Sequence, residues 1–279
     1  MSISILKQKY IFALYCLVAA FFCCSSYASI EYKNAELGGS IYDYTYREPD
    51  IMKLTGQMYG IDAAINFEYL ENKFRKKENV SKWEENLFIR GELSLAFGKV
   101  DYTSKNTGTI DDEDNSRFEI RMLLGHKNFL INNLDYYAGF GYRKLVNDAE
   151  NMITTTGHYG YKRTSRYAYI PLGLRARIGS SKKFKIEALA EYDFFLRGKQ
   201  ESDLTYLGSY KSEKDQNDGY GARGSVKFII PTGDKKEFIV EPFVNYWDID
   251  DSNPDQYGLL YEPKNTSLEV GMKFSISLY

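Results

Sequence analysis

Residues 184–197 read FKIEALAEYDFFLR, and this stretch decides the fold. Phe184, Ile186, Ala188, Ala190, Tyr192, Phe194 and Leu196 alternate with Lys185, Glu187, Glu191, Asp193 and Arg197. A period of two puts successive side chains on opposite faces of an extended strand, here one apolar and one ionic. The pattern recurs at 166–178, where Ala168, Ile170, Leu172, Leu174 and Ile178 oppose Tyr167, Tyr169, Gly173, Arg175 and Arg177. It recurs again at 87–99 and from 59 to 69, and weaker versions fill the intervals. Ten strands are predicted, at 37–48, 56–70, 86–103, 116–129, 135–147, 164–179, 184–198, 217–231, 237–249 and 265–279. An even number of antiparallel strands suits a closed up-and-down transmembrane β-barrel, an all-β fold with both termini on one side.

The connections alternate in length. Those near 130–134, 180–183 and 232–236 are short, while those at 104–115, 148–163, 199–216 and 250–264 are long. Short periplasmic turns and long external loops have this asymmetry. Two links fit it less well: 49–55 is short for an external loop, and 71–85 is long for a periplasmic turn.

Parity alone does not say which face lies inside, since a soluble lipocalin-like barrel has the same alternation with the faces exchanged. The glycine-rich, mixed-charge polar face suits a crowded lumen. The aromatic residues near strand ends, Tyr42, Tyr44 and Tyr46, Tyr136 and Tyr137, Tyr246 and Trp247, are expected as interfacial girdles. The expected lumen charges are Arg90, Glu92, Glu119, Arg121, Arg143, Arg175, Arg177, Glu187, Glu191, Asp193, Arg223, Lys227, Glu241, Glu269 and Lys273. A hairpin centred on Ser181 predicts the ion pair Arg175 with Glu187, and one centred near Asp234 predicts Lys227 with Glu241. Ten strands enclose little more than packed side chains, so a filled, poorly conducting lumen is expected.

Ahead of the barrel, Lys7 and Lys9 precede an apolar run from Tyr10 to Cys24 and then Ser26-Tyr27-Ala28. This is the pattern of a secretory signal peptide, 1–28, leaving 29–279 as one barrel domain. All three cysteines, Cys16, Cys23 and Cys24, fall in the removed segment, so the mature chain is expected to have no disulfide or thiolate metal site. Cleavage takes 36 basic residues to 34 against 38 acidic, a net charge near −4, which speaks against a nucleic-acid partner.

The final strand, SLEVGMKFSISLY at 267–279, completes a pattern that resembles the small Gram-negative outer-membrane β-barrels, in the size class of the ten-stranded omptin and adhesin barrels. Tyr279 matches their terminal aromatic, although Leu268 to Leu278 carry their apolar residues at the opposite parity. The resemblance implies the cell outer membrane, insertion by the barrel-assembly machinery, contact with outer-membrane lipids and lipopolysaccharide, and a monomer. It implies no particular activity and no cofactor.

Candidate chemistry is sparse. The chain has two histidines: His126 on an apolar strand face, and His158 in an external loop, where it is the one candidate catalytic imidazole. No counterpart of the omptin acid pairs and Asp-His dyad is evident. The acidic runs Asp111 to Asp114 and Asp248, Asp250, Asp251 lack EF-hand spacing. Lys162, Arg163 and Arg166 lie where a strand meets the outer surface and are candidates for lipopolysaccharide phosphates. The functional expectation is a non-enzymatic barrel with surface-exposed loops. A narrow porin-like channel is the alternative and a hydrolase comes third.

Overall fold

The computed structural model describes residues 30–69, 86–128, 131–181, 183–233 and 235–279. The signal segment 1–28 and the link 71–85 lie outside the described residues. Ten strands form the wall: β1 (Ile30–Glu48), β2 (Met52–Tyr69), β3 (Leu87–Ser104), β4 (Gly108–His126), β5 (Leu134–Asp148), β6 (Lys162–Ser180), β7 (Lys185–Asp203), β9 (Gly219–Gly233), β10 (Lys236–Ile249) and β11 (Asn265–Leu278). Each is antiparallel to its sequence neighbour, and β1 pairs with β11 to close the ring. A short additional strand, β8 (Lys211–Gln216), pairs only with the far end of β7. The ten predicted strands are all present in the predicted order.

The apolar face points outward. Leu37, Ile61, Phe97, Met122, Leu172, Val270 and Ile276 are exposed around the wall, whereas Arg90, Glu119, Arg143, Glu191, Asp193 and Glu269 are buried within it. Lipid is the medium in which such a surface is stable.

The strands are 14 to 19 residues long, although about 9–11 suffice to cross a bilayer. The excess stands at the end that carries the long loops. On β1, β2, β3, β5 and β6 the outward residues change from apolar to polar: Ile41 to Asp43, Tyr59 to Gln57, Phe97 to Lys99, Tyr142 to Lys144, and Ala168 to Arg166. We call this ring the collar. Beyond it the strands continue as a crown, and the links predicted at 104–115 and 199–216 are largely strand there. The turn between β3 and β4 is only Lys105–Thr107, and β7 runs on to Asp203 before pairing with β8.

Inside, the arrangement is the reverse. Below the collar the lumen holds charged side chains around one small apolar cluster, Phe88, Leu123 and Tyr137; at and above it Tyr42, Tyr44, Tyr46, Met52, Leu54, Met58, Ala96 and Val100 form one buried cluster. Leu145, Tyr167, Tyr169, Trp247 and Ile249 form another. Tyr42, Tyr44, Tyr46, Tyr137 and Trp247 are therefore not girdle residues. They share the parity of lumen positions such as Ser40 and Asn245, and only Tyr136 and Tyr246 of the expected set face out.

Lumen glycines make room for the tyrosines. A Cβ on Gly141 would lie 2.1 Å from the Tyr169 ring, and one on Gly173 would lie 2.1 Å from the ring of Tyr137. Each ring lies across the bare backbone of a neighbouring strand, a close approach that only glycine permits.

The candidate site: a charged lumen beneath a layer of aromatic rings

Facing strands supply opposite charges at matching depths, and the result is a continuous network. Arg223 of β9 grips Glu119 of β4 with both terminal nitrogens, at 2.6 and 3.0 Å, and its Nε donates to Asp193 of β7 at 2.7 Å. The Tyr169 hydroxyl donates to the same Glu119 at 2.7 Å. Glu269 of β11 accepts from Arg117 at 2.6 Å, Arg143 at 2.7 Å and Asn245 at 2.9 Å. Arg121 bridges Glu92, at 3.1 Å, and Glu191, which also accepts from the Tyr137 hydroxyl at 2.5 Å. Arg90 holds Glu92 and, bidentately, Glu36, which Lys227 reaches at 3.1 Å. Lys273 lies 3.4 Å from Asp62.

A single buried ion would be costly. Here each carboxylate named meets at least one cation, and bidentate guanidinium geometry secures several of them. A polar cavity of about 110 Å³ remains among these groups, lined by Glu36, Asp62, Glu92, Arg175, Lys227 and Lys273 among others. This volume is enough for several waters.

The aromatic layer rests directly on the ions. Arg117 lies 5.2 Å from the Tyr42 ring, Arg143 lies 5.5 Å from Trp247, and Arg223 sits over both Tyr169 and Trp247 at 5.4 and 5.7 Å. Guanidinium faces are weakly hydrated and stack on rings, so ionic and aromatic layers join without an intervening water layer. At the loop end a second ionic group covers the rings. Arg163 lies 2.7 Å from Glu48 and 3.8 Å from Glu262, Lys214 lies 3.5 Å from Glu262, and the Tyr46 hydroxyl touches both carboxylates. Burial pulls the Lys214 ammonium below the ordinary lysine range, against the pull of Glu262.

The predicted site residues are distributed as follows. Lys227 is within 3.7 Å of Glu241, and the flanking pairs Phe228 with Val240 and Ser225 with Phe243 give that hairpin the predicted register. Asp234, its expected centre, lies outside the described residues. Arg175 does not face Glu187. It faces Leu189, while Glu187 faces Arg177 on one side and Lys227 on the other. The β6–β7 connection spans Ser181 to Phe184, with the Ser181 amide donating to the Phe184 carbonyl at 2.8 Å, so its centre falls beyond Ser181. The resulting two-residue slip preserves every face. Arg175 instead lines the cavity, 5.8 Å from the Phe88 ring.

The basic trio divides. Arg163 turns into the barrel, Lys162 pairs with Asp148 at 2.5 Å, and Arg166 stays on the outer face, 3.3 Å from Glu201. Arg197, placed by simple alternation on the polar face, is exposed on the outside, because an irregularity opposite Ala168–Tyr169 shifts the parity of β7. His126 stacks on Tyr136 at 6.0 Å, and His158 Nδ1 lies 2.9 Å from the Thr156 hydroxyl.

Arg117 and Glu36 were not singled out from the sequence, yet both hold central places. Their parity was the available signal: Arg117 is in step with Glu119 and Arg121, and Glu36 with Ser40.

No family model matches the chain, and no curated protein matches it. Among solved structures it resembles the outer membrane protease OmpT from Escherichia coli, with a TM-score of 0.57 and 11% identity over 90% of this chain and 98% of that one. A weaker likeness links it to the translocator domain of the autotransporter NalP from Neisseria meningitidis, with a TM-score of 0.37 and 11% identity over 86% and 88% of the two chains. The monoaromatic hydrocarbon channel CymD matches at a TM-score of 0.27 and 8% identity, over 89% of each chain. At 11% identity the likeness to OmpT is one of fold alone, and this chain's own strand order and closure give it that fold, a closed ten-stranded antiparallel barrel of the kind found in small outer-membrane proteins.

Proposed function

We propose that the protein is a non-enzymatic barrel of the cell outer membrane, closed to solutes, that holds its crown at the cell surface as an interaction platform. The observation that carries this reading is the stacking of two buried ring clusters across the lumen on top of a paired ionic network. A pore needs a continuous water path, and Tyr42, Tyr169 and Trp247 crowd the lumen directly above the ions, leaving only about 20 Å³ between Tyr44, Asn115, Leu145 and Arg163 beyond them. In this reading the long loops face outward and the turns face the periplasm. The barrel-assembly machinery inserts the chain as a monomer, and lipopolysaccharide phosphates meet the collar at Arg166 and its cross-strand neighbour Lys144. Planar-bilayer recording tests the closed lumen: no steady conductance and no liposome swelling in sugar are expected. Large regular steps from a monomer would overturn it.

A narrow channel is the second reading, favoured by the polar cavity below the rings. Shared fold with a protease keeps a hydrolase third. Loss of any measured hydrolysis on His158→Ala would raise it, and unchanged hydrolysis would remove His158 from consideration.

A further inference from the structure

The crown carries two properties that seldom coincide on a solvated surface. The first is charge. The segments 47–57, 101–115, 145–165, 198–218 and 248–265 contain nineteen acidic residues against nine basic ones, a net charge of −10. The collar adds Lys99, Lys144, Arg166 and Arg197 against Asp43, so the negative charge belongs to the crown alone.

The second property is apolar exposure. Ile153, Tyr159, Leu207, Tyr257, Leu259 and Tyr261 all stand out into solvent, Leu259 by 72%. They come from three loops locked together. The Tyr206 hydroxyl donates to the Gly160 carbonyl, and the Tyr210 and Ser212 hydroxyls donate to Asp255 Oδ2 at 2.9 Å each. The Tyr210 and Tyr257 rings meet at 4.6 Å. Asp255 Oδ1 also accepts the amides of Tyr257, Leu259 and Leu260, so the tip bearing these side chains is built before any partner arrives.

We infer that this rim is a docking surface for a cationic polypeptide bearing apolar side chains. The inference rests on the proposed reading of the crown as an interaction platform and names its partner class. Preorganised side chains bind at low entropic cost, and exposed Tyr residues are the kind of anchor that dominates interface affinity, with flanking Leu residues helping to exclude water. A field of ten negative charges attracts basic partners and speeds their encounter. The same field repels the anionic headgroups of a second membrane, which could otherwise take up an aromatic loop tip.

The test uses the folded protein in zwitterionic nanodiscs and three short synthetic peptides, alternating Lys with Leu, Glu with Leu, and Lys with Ser. The Lys/Leu peptide is expected to bind, the Lys/Ser peptide about tenfold more weakly, and the Glu/Leu peptide about 100-fold more weakly. Replacing Tyr257→Ser, Leu259→Ser and Tyr261→Ser together is expected to cost about tenfold or more in affinity. Asp218→Asn with Asp250→Asn is expected to slow association about twofold and flatten its salt dependence. Heat-modified electrophoretic migration confirms that each variant is folded. Equal binding of the Lys/Leu and Glu/Leu peptides, or an unaltered affinity after the triple serine replacement, overturns the inference. So does flotation with anionic vesicles in the absence of peptide binding, which would make the partner a lipid surface. Any of these results beside a silent bilayer recording leaves the closed barrel standing, whereas a barrel that conducts and still binds the Lys/Leu peptide refutes closure and keeps the docking surface.

Discussion

Phe97 and Lys99 are successive residues on the outer side of β3, and Ser94 and Ala96 are successive on its inner side. Across that interval both faces change character. Below it β3 shows Leu93, Leu95 and Phe97 to the outside and Arg90, Glu92 and Ser94 to the lumen; above it Lys99, Asp101 and Thr103 face out while Ala96 and Val100 are buried. The neighbouring strands do the same at the same height. The lower half is arranged for lipid outside and ions inside, and the upper half is an ordinary water-soluble barrel with an apolar core. One backbone serves both because closure satisfies every ladder hydrogen bond in either medium, leaving side-chain polarity free to follow the solvent. The lumen of the lower half is then the unusual place, since its charges are satisfied chiefly by each other and by a few hydroxyl and amide groups.

The largest expected effect attacks that dependence. Glu269→Ala strands Arg117 and Arg143, the latter 0% exposed, and should cost about 3–5 kcal/mol in denaturant unfolding. A loss below about 1 kcal/mol would mean that water reaches these guanidiniums and that the lumen is wet.

The next comparison sets the two outer faces against each other. Leu172→Arg, below the collar, should cost about 2–4 kcal/mol of folding stability in lipid, whereas Val146→Arg, outward on β5 above the collar, should cost under about 1. Equal costs would place the collar at the wrong height.

A smaller effect examines the joint between ions and rings. Tyr169→Phe keeps the ring over Gly141 but removes the hydroxyl that donates to Glu119, and about 1.5–3 kcal/mol should be lost. A larger loss would show that the hydroxyl also orders Arg223, 2.9 Å away.

The mildest probe is pH on the crown alone. Asp255 loses some solvation on folding, but the amides and hydroxyls that donate to it hold its carboxyl well below the usual range. With the folded value depressed, the contribution to loop stability is complete above the unfolded carboxylate value of about 3.9 and disappears as pH falls through the folded value. Hydrogen exchange at Leu259 and Leu260 should therefore stay protected at pH 4 and open only in stronger acid, and Asp255→Ala should abolish the protection at every pH. Loss of protection already near pH 5 would contradict this.

Much of the lower half was legible in advance. Ten alternating stretches and their order follow from a period of two, and the outward apolar face from the glycine-rich, mixed-charge composition of the opposite one. The crown was read less well for a physical cause. Above the collar no medium imposes alternation on the outer face, so Glu113 and Asp114 and Lys199 to Asp203 look like loop although they pair as strand, with Asp111 and Asp112 in a bulge beside them. The tyrosines at 42, 44 and 46 were misassigned for a related reason: aromatic composition near a strand end fits a girdle and a buried cap equally well, and only the parity they share with Ser40 separates the two.

Alternation along the chain thus determined, by itself, that this protein is a sheet with one apolar and one charged face, because each strand records its two environments locally; that the apolar face is the outer one was decided by the closed structure. Which charge meets which was decided in three dimensions. Arg117 finds Glu269 and Arg223 finds Glu119 across 152 and 104 residues of sequence. Such pairings depend on closure and on the registers of intervening hairpins, where a two-residue slip such as that at Ser181 changes every partner while leaving every face unchanged.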